Sequence, residues 1–274
     1  MHYVFLGLIQ GLTEFLPVSS SGHLVIMQFL FNVEIPGVAF ETFVHFGTSL
    51  AVIILFRNEI LRILFAFFSS LAKILKLNFN DFIAHLKEND DCKYAWFLFV
   101  STLPAAFFGY FFQNLFEQFF NSIVFTALML IVTGICLFIT EKIFINGKKN
   151  IKEIKLIDAV IVGLAQAFAI FPGISRSGFT IMAGLGRKLD RVFAAKYSLI
   201  LSIPTIIGAS ILKIPEITCL EIDKFTLLIS GIVSCITGYF AMLVLIKVLM
   251  KYKLHIFSYY LWSVGTIIII IKLI

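Results

Sequence analysis

Long apolar runs, separated by short charged segments, dominate the pattern of hydrophobic and polar positions along this chain of 274 residues. A helix needs about 20 apolar residues to cross a bilayer core of about 30 Å, and six runs approach that length. None of them alternates as a membrane β-strand does. The sequence therefore predicts six membrane-spanning helices, over residues 38–56, 94–112, 122–140, 197–212, 225–246 and 256–274.

Two further apolar segments, residues 1–33 and 157–186, are each interrupted by proline, serine and glycine. The breaks read PVSSSGH at residues 17–23 and PGISRSG at residues 172–178. At about 1.5 Å per residue, the two limbs of the first segment are each too short for a comfortable crossing. Both segments are therefore predicted to be re-entrant hairpins, which enter the membrane and return to the same face.

Basic residues are concentrated in a few segments between the spans, and they set the expected topology. Residues 57–93 contain six Lys or Arg and residues 142–155 contain five, whereas residues 113–121 contain none and residues 215–223 are acidic. Because positively charged loops face the cytoplasm, the first two segments are placed inside and the other two outside. The first hairpin is then expected to enter the membrane from outside, and the second from inside.

The two hairpins align without a gap when one is shifted by 156 positions, which brings Gly7 onto Gly163. Seven of the sixteen positions from residue 7 to 22 are identical, and an S-x-S-G sequence falls in each break. We therefore predict an all-α polytopic membrane protein with an inverted-topology repeat, each half having one re-entrant hairpin and three spans. The halves cover residues 1–141 and 157–274 of one integral membrane domain. Non-helical backbone inside a membrane must be buried in protein or line a wet cavity, so the breaks are expected to meet.

The composition agrees with a membrane protein, because 60% of the residues are hydrophobic, 14% are charged and the mean hydropathy is +1.00. The net charge of +6 is spread over loops, without a basic face carrying interleaved aromatic residues, so nucleic acid is not an expected partner. No cleaved signal peptide is expected, since the first residues lack a basic segment and a small-residue cleavage site. Cysteine chemistry is not expected either, because no CxxC or metal-type spacing connects Cys92, Cys136, Cys219 and Cys235.

Polar residues of the first hairpin supply parts of a phosphate site. Gln10 and Glu14 are four residues apart and therefore share a helix face, one turn before the break. A carboxylate at membrane depth is costly unless it is paired or metal-bound, which makes Glu14 a functional candidate. Ser19, Ser20 and Ser21 bring hydroxyls and backbone NH groups to a helix N-terminus, which is typical of phosphate binding. Serine is also common where helices pack in membranes, so plain helix packing is the alternative.

Arg176 in the second break is the only Lys or Arg between Lys155 and Arg187. In a buried position it needs an anion, and its planar guanidinium suits phosphate. A structural ion pair between Arg176 and Glu14 is the alternative. Further hydroxyl contacts with phosphate are expected from Ser175, Ser177 and Thr180.

His23 lies three residues after Ser20, close enough to take the proton of a serine nucleophile. A lone histidine in a membrane segment is more often a hydrogen-bonded core residue, and that alternative stays open. Glu41 and His45 form another polar pair in the next span, which fits support of the site or a plain hydrogen bond between helices. Together, the carboxylate, serine, histidine, arginine and helix NH groups are the parts of phosphoryl transfer.

The stretches GLIQGLTEFLPVSSSGHL and PGISRSGFT resemble the bacterial undecaprenyl-diphosphatase family, also called the bacitracin-resistance family, and the likeness covers essentially the whole chain. The resemblance implies a hydrolase that removes the terminal phosphate of undecaprenyl diphosphate and so recycles the lipid carrier of cell-wall synthesis. It also implies a location in the bacterial cytoplasmic membrane. A secondary transporter or lipid flippase with a midplane anion site is the alternative, since transporters commonly have inverted repeats with broken helices. A scaffold whose polar residues only pack helices is a third.

The resemblance further implies that Glu14, Ser20, His23 and Arg176 are catalytic. Glu14 and Gln10 are expected to hold a divalent cation, Mg²⁺ or Ca²⁺. Some family members have a glutamate where this chain has Gln10, and because an amide is no base, proton transfer falls to Glu14 or His23. Either Ser20 attacks the terminal phosphorus, or a metal-bound water does so while Ser20 is a ligand.

The remaining expectations concern the residues that contact the substrate, the partners and the side of access. Substrate contacts are expected from Gln10, Ser19, Ser21, Ser175, Ser177 and Thr180, with Glu41 as a supporting residue. The expected partners are a polyprenyl diphosphate lipid and membrane lipids, and the oligomeric state, a homodimer included, stays open. The family's role in carrier recycling favours access from the outer face.

Overall fold

The structure is a computed structural model that describes residues 2–31, 37–76, 79–143, 147–218, 220, 222–251 and 253–274. These residues form thirteen α-helices and no β-strand. In chain order, the helices are α1 (His2–Glu14), α2 (Ser20–Phe31), α3 (Gly37–Leu55), α4 (Arg57–Lys76), α5 (Phe79–Glu88), α6 (Asp90–Phe111), α7 (Gln113–Phe120), α8 (Ile123–Ile143), α9 (Leu156–Phe168), α10 (Arg176–Gly186), α11 (Arg191–Thr218), α12 (Lys224–Met250) and α13 (His255–Leu273). The all-α prediction is confirmed. Cys219 and residues 32–33 of the first predicted hairpin lie outside the described residues.

Within the described ranges, five helices are long and apolar enough to cross a membrane, namely α6, α8, α11, α12 and α13. They cover five of the six predicted spans, and α3 covers the sixth. The chain is therefore a multi-pass membrane protein. Four of these helices, α6, α8, α11 and α12, are longer than the apolar runs that predicted them, because hydrogen bonding continues into polar turns. In α6, for example, Asn89 caps the first turn by accepting from the NH group of Cys92 at 2.9 Å.

The segments between the spans are more helical than their interpretation as loops suggested. The basic segment of residues 57–93 contains α4 and α5, and residues 113–121 contain α7. In α4, Ile60, Ile63 and Ala66 are buried at intervals of three, which is the spacing of one helix face. Amphipathic helices of this kind lack a full apolar run, so a search for spans does not detect them.

Both hairpins have the predicted form of two helices joined by a non-helical break. Ser19, immediately before α2, has a positive φ of 68°, and its Oγ accepts from the NH group of Gly22 at 3.2 Å. Ser175 caps α10 in the same way, accepting from the NH group of Gly178 at 3.1 Å. The two S-x-S-G sequences therefore cap the second helix of each hairpin through equivalent contacts.

The two breaks lie against each other. The Oγ of Ser19 is 3.4 Å from the carbonyl oxygen of Ile174, and the Oγ of Ser177 donates to the carbonyl oxygen of Leu16 at 3.1 Å. An added Cβ at Gly22 would lie 3.1 Å from the Cα of Gly173, so the backbones approach closely. The prediction that the breaks meet is confirmed.

Each hairpin packs on a span from the opposite half of the chain. Gly7 in α1 lies against the backbone of Ser230 in α12, where an added Cβ would clash with the carbonyl oxygen. Gly163 in α9 lies against Ser101 in α6, with an added Cβ 2.7 Å from its carbonyl oxygen. Gly7 and Gly163 are the aligned positions of the two hairpins. The inverted repeat, with its division into two halves, stays a prediction that this matched pair of contacts supports.

Phe15 anchors the first break in the core. It follows Glu14 directly and is fully buried. Its ring packs on α12 beside Gly238, where an added Cβ would be 3.1 Å from the ring. It shares an apolar cluster with Val52 of α3 and Met242 of α12. Truncating a buried ring of this size costs about 3–5 kcal/mol, so this packing holds the backbone that carries Glu14.

The close contact between α1 and α12 leads to a stability prediction. We expect Gly7→Ala to lower the thermal midpoint of the purified protein in detergent, because the new Cβ clashes with rigid backbone at Ser230, and overpacking of this kind costs about 1–3 kcal/mol. The matched control is Gly208→Ala in α11, where an added Cβ has nothing within 4 Å. Its midpoint should equal or exceed that of the wild type, because alanine is the better helix former. Equal midpoints for the two variants would contradict the tight contact.

Candidate active site

A cavity of about 260 Å³ lies where the two breaks meet. Both hairpins contribute to its wall, together with α3, α7 and α11. Seven of the residues that the sequence predicts for the site or its support line it, namely Glu14, Ser19, Ser20, Ser21, Glu41, Ser175 and Arg176. Apolar side chains, including Phe120 of α7 and Ile206 of α11, form another part of the wall. The cavity therefore joins a polar region to an apolar one.

Glu14, at the last position of α1, is the centre of the hydrogen bonding and is only 6% exposed. Its Oε1 accepts from Nη2 of Arg176 at 2.6 Å. Its Oε2 accepts from Oγ of Ser20 at 2.5 Å and from Nε2 of Gln10 at 2.9 Å. Nε2 of His45 lies 3.2 Å from the same oxygen. The carboxylate is thus paired with a guanidinium from the opposite hairpin and is in direct contact with a serine hydroxyl.

Arg176 is the first residue of α10, so it stands at the positive end of that helix. Its side chain is 15% exposed, and it lines the cavity. Nη1 is buried and has no hydrogen-bond partner among the residues that the structure describes. A buried donor left unpaired costs about 1–3 kcal/mol, so the arginine retains capacity for an anion beyond its pairing with Glu14.

Ser20 and His23 do not contact each other as a nucleophile and its base. Oγ of Ser20 donates to Glu14, whereas Nδ1 of His23 lies 2.8 Å from the carbonyl oxygen of Ser19. Nε2 of His23 lies 2.7 Å from the hydroxyl of Tyr260. Of the two bases that the sequence leaves open for Ser20, Glu14 is the one in contact with it.

The other predicted hydroxyls fall into two groups. Ser21 lines the cavity, with its Oγ 3.3 Å from that of Ser19. Ser177 and Thr180 lie beside the cavity and are not among the described residues of its wall. Ser177 binds the backbone of the first break, and Thr180 pairs with Ser198 of α11 at 2.6 Å. These two residues hold the second hairpin to its neighbours.

Two contacts at the site were missed by sequence reasoning. Glu41 lines the cavity as expected and accepts from Gln28 at 3.1 Å, but His45 turns its ring to Glu14 instead of pairing with the Glu41 carboxylate. The spacing of four residues indicated a shared face without indicating the partner. Tyr260 is 237 residues from His23, so no local spacing could have connected them.

A divalent cation at this site would have few protein ligands. No group of three or more His, Cys, Asp or Glu suited to a metal ion occurs in the described ranges of the chain. Gln10 is fully buried and donates to Glu14. Its Oε1 has no partner among the residues that the structure describes, which makes it an acceptor suited to a cation. Mg²⁺ is commonly held by one or two carboxylates together with substrate phosphates and waters. Glu14 and Gln10 therefore fit an ion that binds together with a phosphate group.

The comparison with known proteins identifies the family of the chain. Residues 3–267 match a family model described as bacitracin resistance protein BacA. The chain is 40% identical to a protein named undecaprenyl-diphosphatase from Alkaliphilus metalliredigens, over 98% of each chain. A protein of the same name from Thermosipho africanus is 40% identical over 95% of each chain. Another, from Halothermothrix orenii, is 38% identical over 98% of this chain and 96% of the relative. Since these matches include both hairpins, the chain belongs to the bacitracin resistance protein BacA family.

Proposed function

We infer that the chain is a membrane-embedded undecaprenyl-diphosphatase, which hydrolyses undecaprenyl diphosphate to undecaprenyl phosphate and phosphate. The observation that carries this function is the buried contact of Glu14 with both Ser20 and Arg176 where the two hairpins meet. The relatives that match nearly the whole chain carry the same name. A secondary transporter or flippase is not favoured, because a passive anion site does not need a serine hydroxyl bonded to a buried carboxylate.

The diphosphate occupies the cavity between the hairpins, and the isoprenoid tail stays in lipid. The cavity offers several donors for phosphate oxygens. They are Nη1 of Arg176, the hydroxyls of Ser21 and Ser175, and the backbone NH groups at the start of α2 and α10, which have no partner within their own helix. Phe120 and Ile206 offer apolar contact where the tail leaves the cavity. A cavity of about 260 Å³ suits a headgroup, whereas a C55 chain needs the surrounding bilayer.

We further propose that substrate enters from the outer face of a bacterial cytoplasmic membrane. Glu41 and His45, in the first half of α3, and Ala209, in the second half of α11, line the cavity. The distribution of basic loops predicts that these parts of both helices lie toward the outside. The family's role in carrier recycling, which the resemblance implies, also favours access from the outer face. A homodimer stays a prediction without a structural argument of its own.

In the proposed reaction, Oγ of Ser20 attacks the terminal phosphorus and its proton passes to Glu14. The bond between that phosphorus and the bridging oxygen breaks, and undecaprenyl phosphate leaves with the proton from Glu14. Arg176 and the helix NH groups stabilise charge on the equatorial oxygens. Water then attacks the phosphoserine and Glu14 accepts its proton. The bond between phosphorus and Oγ of Ser20 breaks, Glu14 returns the proton to Oγ, and phosphate is released. In the alternative mechanism, a water molecule attacks the terminal phosphorus directly, and Ser20 only holds that water by a hydrogen bond.

We propose that a divalent cation, Mg²⁺ or Ca²⁺, is bound by Glu14 and Gln10 when substrate is present. Such an ion neutralises charge on the diphosphate during the reaction. Gln10 directs its Nε2 at Glu14, and a half-turn of the amide would bring Oε1, which has no partner in the described part of the chain, toward the carboxylate instead.

The activity itself is tested by phosphate release from a C55 or C15 isoprenyl diphosphate with the purified protein in detergent. We expect release with Mg²⁺ or Ca²⁺, a loss of at least tenfold in EDTA, and recovery when the ion is added in excess. The protein without substrate is the control for contaminating phosphate. No release by the wild type with any divalent ion would contradict the enzyme and favour transport.

Replacement of the central carboxylate should remove most of the activity. We expect Glu14→Gln to lower kcat/KM by about 10³-fold, because general base catalysis alone contributes about 10²–10⁴-fold. The control is Glu153→Gln, which makes the same chemical change at an exposed position on the loop before α9 and should match the wild type. A Glu14→Gln enzyme with full activity would show that the reacting group lies elsewhere.

The role of Ser20 is tested by trapping and by substitution. With substrate labelled in its terminal phosphate, rapid acid quenching of the wild type should give a phosphoserine at residue 20, and Ser20→Ala should lower kcat by at least 10²-fold. Ser263→Ala, which removes an exposed hydroxyl of α13, is the matched control. If Ser20→Ala keeps most of the activity and no phosphoserine is trapped, water is the direct nucleophile.

A further inference from the structure

The hydroxyl of Tyr260, the ring of His23 and the carbonyl of Ser19 form a continuous line of hydrogen bonds. The Tyr260 oxygen is 2.7 Å from Nε2 of His23, and Nδ1 is 2.8 Å from the carbonyl oxygen of Ser19. Ser19 directly precedes Ser20. We propose that Tyr260 and His23 are positioning residues, which fix the backbone of Ser19 and thereby direct Oγ of Ser20 at Glu14. This inference rests on the proposed phosphatase function.

The partners of His23 determine its tautomer. A carbonyl oxygen only accepts hydrogen bonds, so Nδ1 must carry a proton and donate it to Ser19. In the neutral ring, the lone pair is then on Nε2, which accepts from the Tyr260 hydroxyl. In the charged ring both nitrogens donate, and no lone pair remains. In neither state does His23 have an acceptor available for the proton of Ser20, which agrees with the contact of Ser20 with Glu14.

The backbone at Ser19 needs such support because its conformation is unfavourable. Its φ of 68° lies in the left-handed region, which costs a residue with a side chain roughly 1–2 kcal/mol. Conformations of this kind persist where the surrounding contacts determine them, commonly at functional sites. The carbonyl oxygen of Ser19 accepts twice from His23, from Nδ1 at 2.8 Å and from the backbone NH group at 3.1 Å. Both bonds act on the peptide group that leads into Ser20.

Tyr260 holds the His23 ring from outside the hairpin. His23 is 4% exposed, whereas Tyr260, on α13, is 45% exposed at the edge of the bundle. The two rings are parallel within 3°, with centroids 5.6 Å apart. Without the hydroxyl, Nε2 would be a buried acceptor with no partner, and the ring would be free to turn away from Ser19. Loss of an orienting partner of a histidine at a metal site lowers function by about 10–100-fold, which sets the scale expected here.

The first test compares two tyrosines that are adjacent on α13. We expect Tyr260→Phe to lower kcat about tenfold with KM within twofold of the wild type, since the nucleophile is misdirected while phosphate binding is kept. Tyr259→Phe is the matched control, because its ring contacts with Phe138 and Trp262 do not need the hydroxyl. It should match the wild type in kcat and KM. Thermal midpoints of both variants in detergent separate loss of positioning from loss of folding.

The second test uses His23 and separates positioning from proton transfer. In His23→Asn, the side-chain NH₂ group stands near the place of Nδ1 and can donate to Ser19, but an amide is not a base. We expect its kcat to be at least tenfold above that of His23→Ala. Equal kcat for these two variants, or an unchanged kcat in Tyr260→Phe, would overturn the inference while the wild type stays active. Absence of phosphate release by the wild type would instead overturn the proposed function.

Discussion

The ion pair between Glu14 and Arg176 is the interaction on which the rest of the structure depends. Each charge would be costly alone at membrane depth, and removing one partner of a buried pair costs about 3–5 kcal/mol. The pair can form only if the end of α1 meets the start of α10, although the two residues are 162 positions apart in the chain. The serine caps, the glycine contacts and the burial of Phe15 all serve that meeting.

The sequence predicts the membrane-spanning helices of this protein well, because a helix that crosses a membrane needs a long apolar segment. Apolar length identifies the spans, and polar residues such as Glu14 and Arg176 stand out in segments where they are otherwise rare. Helices that lie between the spans, such as α4 and α7, are less visible because their apolar residues cover one face only. The fact that the two breaks meet could thus be predicted, and so could several polar residues that come together there, such as Glu14, Ser20 and Arg176.

The hydrogen-bond partners of these polar residues could not be predicted with the same success, and the reason is geometric. Glu14 and His23 are both close to Ser20 in sequence, so spacing alone does not decide which of them takes its proton. The turn at Ser19, with its positive φ, points the Ser20 hydroxyl back at α1, while the His23 ring faces α13. Pairings such as His23 with Tyr260 depend on how distant helices pack, which no local pattern records.

The packing of α1 on α12 also has a consequence for biosynthesis. Gly7 is made long before the helix that receives it, which begins at Lys224 and ends at Met250. Until that helix is inserted, the first hairpin has no native partner along this face, and until α10 is made, Glu14 lacks its arginine. Pairing of segments so far apart is slow, because loop closure must come before the contact is gained. Helices of the predicted second half therefore complete the site that the first hairpin begins.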